Sequence, residues 1–133
     1  MARVYIMKLA ESPYNDIHKI GFTNRKDPEL RADEVRDSLY KSDIEGKLTV
    51  LFCEWFLFAW TLEQMLHIWY KPKNVLLPPT VSGYTEFFDL NLFSVNLALI
   101  PFLRFLHYLQ FILFFLLPFL ILDYFGFISI QWW

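Results

Sequence analysis

The sequence predicts a small α+β domain with the element order β-β-α-β-α-β, followed by a C-terminal transmembrane helix. Three observations carry this expectation. Charge is partitioned along the chain: 11 of the 12 Lys and Arg and 13 of the 14 Asp and Glu precede Asn91. From Leu92 to Trp133 the only formal charges are Arg104 and Asp123. The first part also alternates between the apolar period of a strand and that of a helix. The domain is therefore expected over residues 1–91 and the hydrophobic segment over residues 92–133.

Arg3 to Leu9 reads as a strand, because Val4, Ile6 and Lys8 alternate with Tyr5, Met7 and Leu9 and β-branched and aromatic types are common. Glu11 to Asp16 carries Ser, Pro, Asn and Asp and reads as a loop. Ile17 to Phe22 makes a second strand and a hairpin-like pair with the first. Asp27-Pro28-Glu29 is a helix start, with Asp27 able to accept from orphan amides and Pro28 suited to the first helical position. That helix is expected to reach about Tyr40, burying Ala32, Val35 and Leu39. Lys47 to Glu54 alternates again and reads as a third strand. Ala59 to Tyr70 reads as a second helix, in which the i, i+3, i+4, i+7 spacing of Leu62, Met65, Leu66 and Trp69 predicts one buried stripe. Lys71 to Gly83 holds three prolines and reads as a loop, and Thr85 to Asp89 as a short closing strand.

Phe105 to Leu122 is an 18-residue run without charge. As a helix it extends about 27 Å, near the lower limit for crossing a bilayer. Arg104 and Asp123 suit the two interfaces, and Tyr124, Trp132 and Trp133 an aromatic belt. Leu92 to Leu103 is too short to span alone and is expected to lie in the interface or to extend a tilted span. A two-helix hairpin, a helix buried by a partner and an aberrant translated end are the alternatives. Lys71, Lys73 and Arg104 precede the run and no Lys or Arg follows it. The positive-inside rule then gives a single-pass membrane protein with a cytoplasmic N-terminal domain. No secretory signal is read at Met1 to Leu9.

The formal net charge is −2. A slightly acidic domain binds nucleic acid only through a local basic patch. One cysteine, Cys53, excludes an intrachain disulfide and a Cys-based metal cluster. No phosphate-binding glycine loop, zinc spacing or nucleophile elbow is present.

Chemistry-bearing residues remain. Glu63 and His67 stand four apart on the second helix and share a face, expected to meet a groove or solvent. A carboxylate there suits Mg²⁺, which uses one or two carboxylates with waters and substrate phosphates; a solvated helix face accounts for the same spacing. Arg31, early in the first helix, suits phosphate binding, and equally an ordinary pairing with Glu34 or Asp27. Tyr5 and Lys19 lie on adjacent strands.

Together, Val4-Tyr5-Ile6, His18-Lys19-Ile20-Gly21, Arg31, Leu62-Glu63-Gln64-Met65-Leu66-His67 and Thr85-Glu86-Phe87-Phe88 resemble, in that order, the motifs of the GIY-YIG nuclease superfamily. They look most like its phage-associated branch, whose second motif reads Lys-Ile-Gly. The resemblance covers residues 3–90 and none of the tail. It implies a mixed sheet flanked by helices and a DNA endonuclease dependent on Mg²⁺ or Mn²⁺. It implies Tyr5 as activator of the nucleophile, Arg31 as the group steadying the scissile phosphate, and Glu63 as metal ligand. Lys19 stands where many members carry tyrosine; it can contact phosphate, but is a poor base at neutral pH unless its pKa is lowered. His18, His67 and Glu86 fall in the motifs and are implied to bind substrate. Val4 replaces the first motif's glycine, Val35 stands where His or Tyr is common, and the terminal asparagine has no match. These departures keep open a catalytically weak or inactive module that binds nucleic acid or protein at the membrane, such as a phage or mobile-element exclusion protein.

Overall fold

Four strands and the helices packed on them build the domain in the computed structural model, which describes residues 2–10, 17–25, 27–44, 47–128 and 131. The loop expected at Glu11 to Asp16 and the belt residues Trp132 and Trp133 lie outside the described residues. The strands are β1 (Arg3–Ala10), β2 (Ile17–Thr23), β3 (Lys47–Trp55) and β4 (Phe87–Asp89). They form one sheet in the order β3-β1-β2-β4. Every neighbouring pair is antiparallel, which corrects the expected mixed sheet. The reason is the crossover. Helix α1 (Pro28–Lys41) carries the chain from β2 past β1 to β3, so the two parallel strands never touch.

Asp27 caps α1 by accepting from the Glu29 amide at 2.9 Å, and Pro28 opens the helix. Ala32, Val35 and Leu39 are buried against Tyr5, Met7, Leu9 and Ile17, the face of the sheet that also carries Lys19 and Phe87. The opposite face presents Val4, Ile6, Ile20, Phe52 and Phe88 to helix α2 (Ala59–Trp69).

The stripe expected on α2 is corrected. The buried residues are Ala59, Glu63 and Leu66, whereas Met65 and Trp69 are exposed and Leu62 is only partly covered. Small Ala59 permits close approach to the sheet, and α2 is turned so that Glu63 faces inward. The loop expected after α2 begins with a 3₁₀ turn, Lys71–Lys73.

The C-terminal part is helical from Leu92. A short turn α3 (Leu92–Ser94) leads through a π turn (Val95–Leu99) into α4 (Ile100–Tyr124). Val95–Tyr124 is long and apolar enough to cross a membrane, with mean hydropathy 2.2 over its most apolar window. The helix ends at Gly126, whose φ of +76° suits a residue without Cβ; the Phe127 amide donates back to the Leu122 carbonyl. Its first turns are not a free anchor. Val95, Leu99, Ile100 and Leu103 are buried in the same core as Val4, Ile6, Ile20 and Phe88. The expected boundary between residues 91 and 92 thus divides elements that share one core.

Candidate active site

β4 pairs with β2 only from Ile17 to Lys19, so the second half of β2 faces α2 and the segment before β4. The Ile20 amide donates to the Glu86 carbonyl at 3.1 Å. The Ile20 carbonyl accepts from His67 Nε2 at 2.7 Å. These two bonds bring α2 and the Ser82–Glu86 segment together at the place where β1 and β2 present Tyr5 and Lys19.

Three of the expected residues, Tyr5, Lys19 and Arg31, are brought together here, and the charge of a fourth, Glu63 on α2, reaches two of them. Arg31 Nε donates to the Tyr5 hydroxyl at 3.4 Å, and Arg31 Nη1 donates to Glu34 Oε2 at 3.0 Å and Ser82 Oγ at 2.9 Å. The Glu34 contact is the ordinary helical pairing that the sequence allowed; the Tyr5 and Ser82 contacts reach across the fold. Lys19 Nζ forms an ion pair with Glu86, lies 3.5 Å from the Gly83 carbonyl, and stands 5.8 Å from the centre of the Tyr5 ring. Glu63 is 2 % exposed, with Oε1 3.2 Å from His67 Nε2 and Oε2 accepting from Gln64 at 2.7 Å. Its charge acts on both Tyr5 and Lys19, and that of Glu86 acts on all three.

His67 and Glu86 belong to this group, through Glu63 and Lys19. His18, with Phe88 as its neighbour in register, lies on the sheet face opposite Lys19 and is fully buried.

Burial sets the protonation of the group. The Tyr5 phenol is pushed up to about 12 by desolvation, with Glu86 adding to the effect and Arg31 opposing it. Desolvation raises the Glu63 carboxyl; His67 opposes the rise and Glu86 adds to it. Desolvation also pulls the Lys19 ammonium below its ordinary value, against Glu86, which supports the charge.

Two glycines make the arrangement possible. A Cβ at Gly21 would collide with the Tyr5 hydroxyl and stand 2.6 Å from Cζ, so only glycine lets the phenol lie across β2. Gly83 has a φ of +68°, and a side chain there would strike Lys19 Nζ and stand 2.6 Å from Glu86 Oε2. Gly83 and Ser82 were not expected at the site. Ser82 sits in irregular backbone without periodicity, and Gly83 signalled only a turn. No family model, curated protein or solved structure matches the chain.

Proposed function

We propose that the chain is a membrane-anchored endonuclease of the GIY-YIG type, hydrolysing DNA phosphodiester bonds with one divalent cation, Mg²⁺ or Mn²⁺. The observation that carries this reading is the gathering of Arg31 and Lys19 about Tyr5, with the buried carboxylate of Glu63 near enough for its charge to act on Tyr5 and Lys19. Phosphodiester hydrolysis needs a positioned nucleophile, neutralisation of phosphate charge and a Lewis acid.

Glu63 is the carboxylate that would hold a single hard cation, and the upward shift that burial imposes on it is what a cation's charge would relieve. Among the described residues no group of three or more His, Cys, Asp and Glu could hold a metal, so water and phosphate would complete the coordination. When bound, the cation supplies Lewis-acid polarisation of a phosphate oxygen.

The chain's own groups do the rest. Arg31 keeps its charge at any working pH and can fork onto phosphate once released from Ser82 and Glu34. With its pKa near 12, Tyr5 holds its proton at neutral pH. It orients a water through its hydroxyl rather than abstracting a proton. Lys19, ion-paired with Glu86, offers its ammonium to the phosphate charge, and the Glu86 carboxylate is the member of the pair able to accept a proton. The exposed edges of Arg31, His67 and Glu86 give the way in, because Lys19 itself has no exposed surface.

That closure favours a second reading. Lys19 at 0 % exposure, paired with Glu86 and covered by the Gly83 carbonyl, also suits a fixed structural pair in a non-catalytic binding module. The two are separated by incubating the full chain in detergent with plasmid DNA and Mg²⁺ or Mn²⁺. The endonuclease reading expects nicking by wild type that Glu63→Ala and Glu63→Gln abolish. Absence of cleavage across several substrates, or equal cleavage by the variants, leaves the binding module.

A further inference from the structure

We infer that the corner between β3 and α2 is a lipid-inserted wedge, with Leu57, Phe58 and Trp60 seated in the membrane beside α4. The inference rests on reading α4 as a membrane span. Leu57, Phe58 and Trp60 are 57 %, 72 % and 60 % exposed, three large apolar side chains uncovered at one turn.

The occupant follows from how the corner is tied to α4. The Leu57 amide donates to Gln110 Oε1 at 2.9 Å. The Trp55 carbonyl accepts from Gln110 Nε2 at 2.6 Å and from His107 Nδ1 at 2.8 Å. The Trp55 ring lies 5.6 Å from that of Phe111. The corner therefore sits level with residues 107–111 of α4.

Helix length then sets the depth. From Phe111 to the helix end at Tyr124 there are only 14 residues, about 21 Å of helix, whereas the hydrocarbon core takes about 20 residues and 30 Å. Twenty helical residues counted back from Tyr124 begin at Phe105, directly after Arg104. Gln110 then lies about 7 Å inside the boundary, the depth at which interfacial apolar faces settle. Whatever Gln110 holds is carried to the same depth.

The polar pattern of α4 agrees. His107 and Gln110 are the only side chains with nitrogen between Phe105 and Leu122; both bond the corner's backbone, and His107, nearer the boundary, also stands 3.5 Å from Glu54 Oε2 through its Nε2. Backbone groups entering lipid must be satisfied from within the protein. The placement of these two residues is what a lipid-inserted turn requires.

The test uses the full chain in phosphatidylcholine vesicles. Cys53 is replaced by serine, and single cysteines at Phe58, Leu57, Phe114 or Tyr40 carry an environment-sensitive fluorophore. Quenchers are placed at shallow or deep positions of the acyl chains. Expected are blue-shifted emission and loss of fluorescence to shallow quenchers at Phe58→Cys and Leu57→Cys, loss to deep quenchers at Phe114→Cys, and neither at Tyr40→Cys. Quenching at 114 with water-like emission at both 57 and 58 overturns the wedge and keeps the span. Blue-shifted emission at 57 and 58 without lipid quenching also overturns it, in favour of a protein covering the corner. Water-like emission at 114 overturns the span and the wedge together.

Discussion

Glu86→Gln is the sharpest single perturbation of the site. Lys19 has no exposed surface, and after the change it keeps only uncharged acceptors, the new amide oxygen and the Gly83 carbonyl at 3.5 Å. Glu86 keeps 27 % of its side chain in water. Removing the carboxylate therefore strands a buried cation, whereas Lys19→Met leaves a carboxylate that can still be hydrated. Breaking a buried pair by removing one partner costs about 3–5 kcal/mol. Glu86→Gln is expected near the lower end, because its amide oxygen still accepts, and Lys19→Met at about 1 kcal/mol. The pH dependence has a definite sign. The folded Lys19 has a lowered pKa, so between that value and the ordinary one the unfolded chain binds more protons, and stability rises with pH. Loss of Glu86 removes the contributions that oppose this lowering and extends the window downward. The deficit of Glu86→Gln should shrink as pH rises, by at most about 1.4 kcal/mol per unit for one proton. Thermal unfolding of the full chain in detergent across neutral to alkaline pH measures it. A deficit that is flat with pH, or Lys19→Met costing more than Glu86→Gln, refutes the reasoning.

Three further outcomes are expected. Gly21→Ala places a Cβ 2.6 Å from Tyr5 Cζ where ordinary contact begins near 3.4 Å, so the ring must shift by about 0.8 Å; overpacking of this kind costs about 1–3 kcal/mol, read as a lower unfolding midpoint alongside reduced nicking. Leu103→Ala, fully buried between α4 and the sheet, should cost about 2–5 kcal/mol, and a chain ending at Asn91 should lose cooperative unfolding. Asp27→Ala removes the cap on α1 and should cost about 0.5–2 kcal/mol without altering DNA cleavage by more than its effect on folding.

Strands and α1 were legible because alternation and a capped helix start are local signals. Asp27, Pro28 and the alternation of Val4 to Leu9 act through their own backbone, and the structure places these elements within a residue or two of expectation. The face of α2 was not legible. Its sequence is apolar around most of its circumference, so Leu62, Met65, Leu66 and Trp69 offered a stripe as good as the true one. Which side turns inward is decided by the His67 bond to the Ile20 carbonyl and by the smallness of Ala59, both long-range facts. The antiparallel order was hidden for the same reason, since a crossover helix does not say which strand it passes. At the candidate site, Tyr5, Lys19, Arg31 and Glu63 were singled out from ordered motifs. Ser82 and the role of Gly83 emerged only once Arg31 and Lys19 had positions.

The central claim is that Glu63, beside Tyr5, Arg31 and Lys19, serves a metal-dependent cut in DNA. Its most direct test is plasmid nicking by the full chain as Mn²⁺ is raised, comparing wild type with Glu63→Gln at matched unfolding midpoints. The account predicts nicking by wild type that saturates with the cation and is lost in Glu63→Gln. Nicking of equal rate in both, or none by wild type over the whole range, would contradict it.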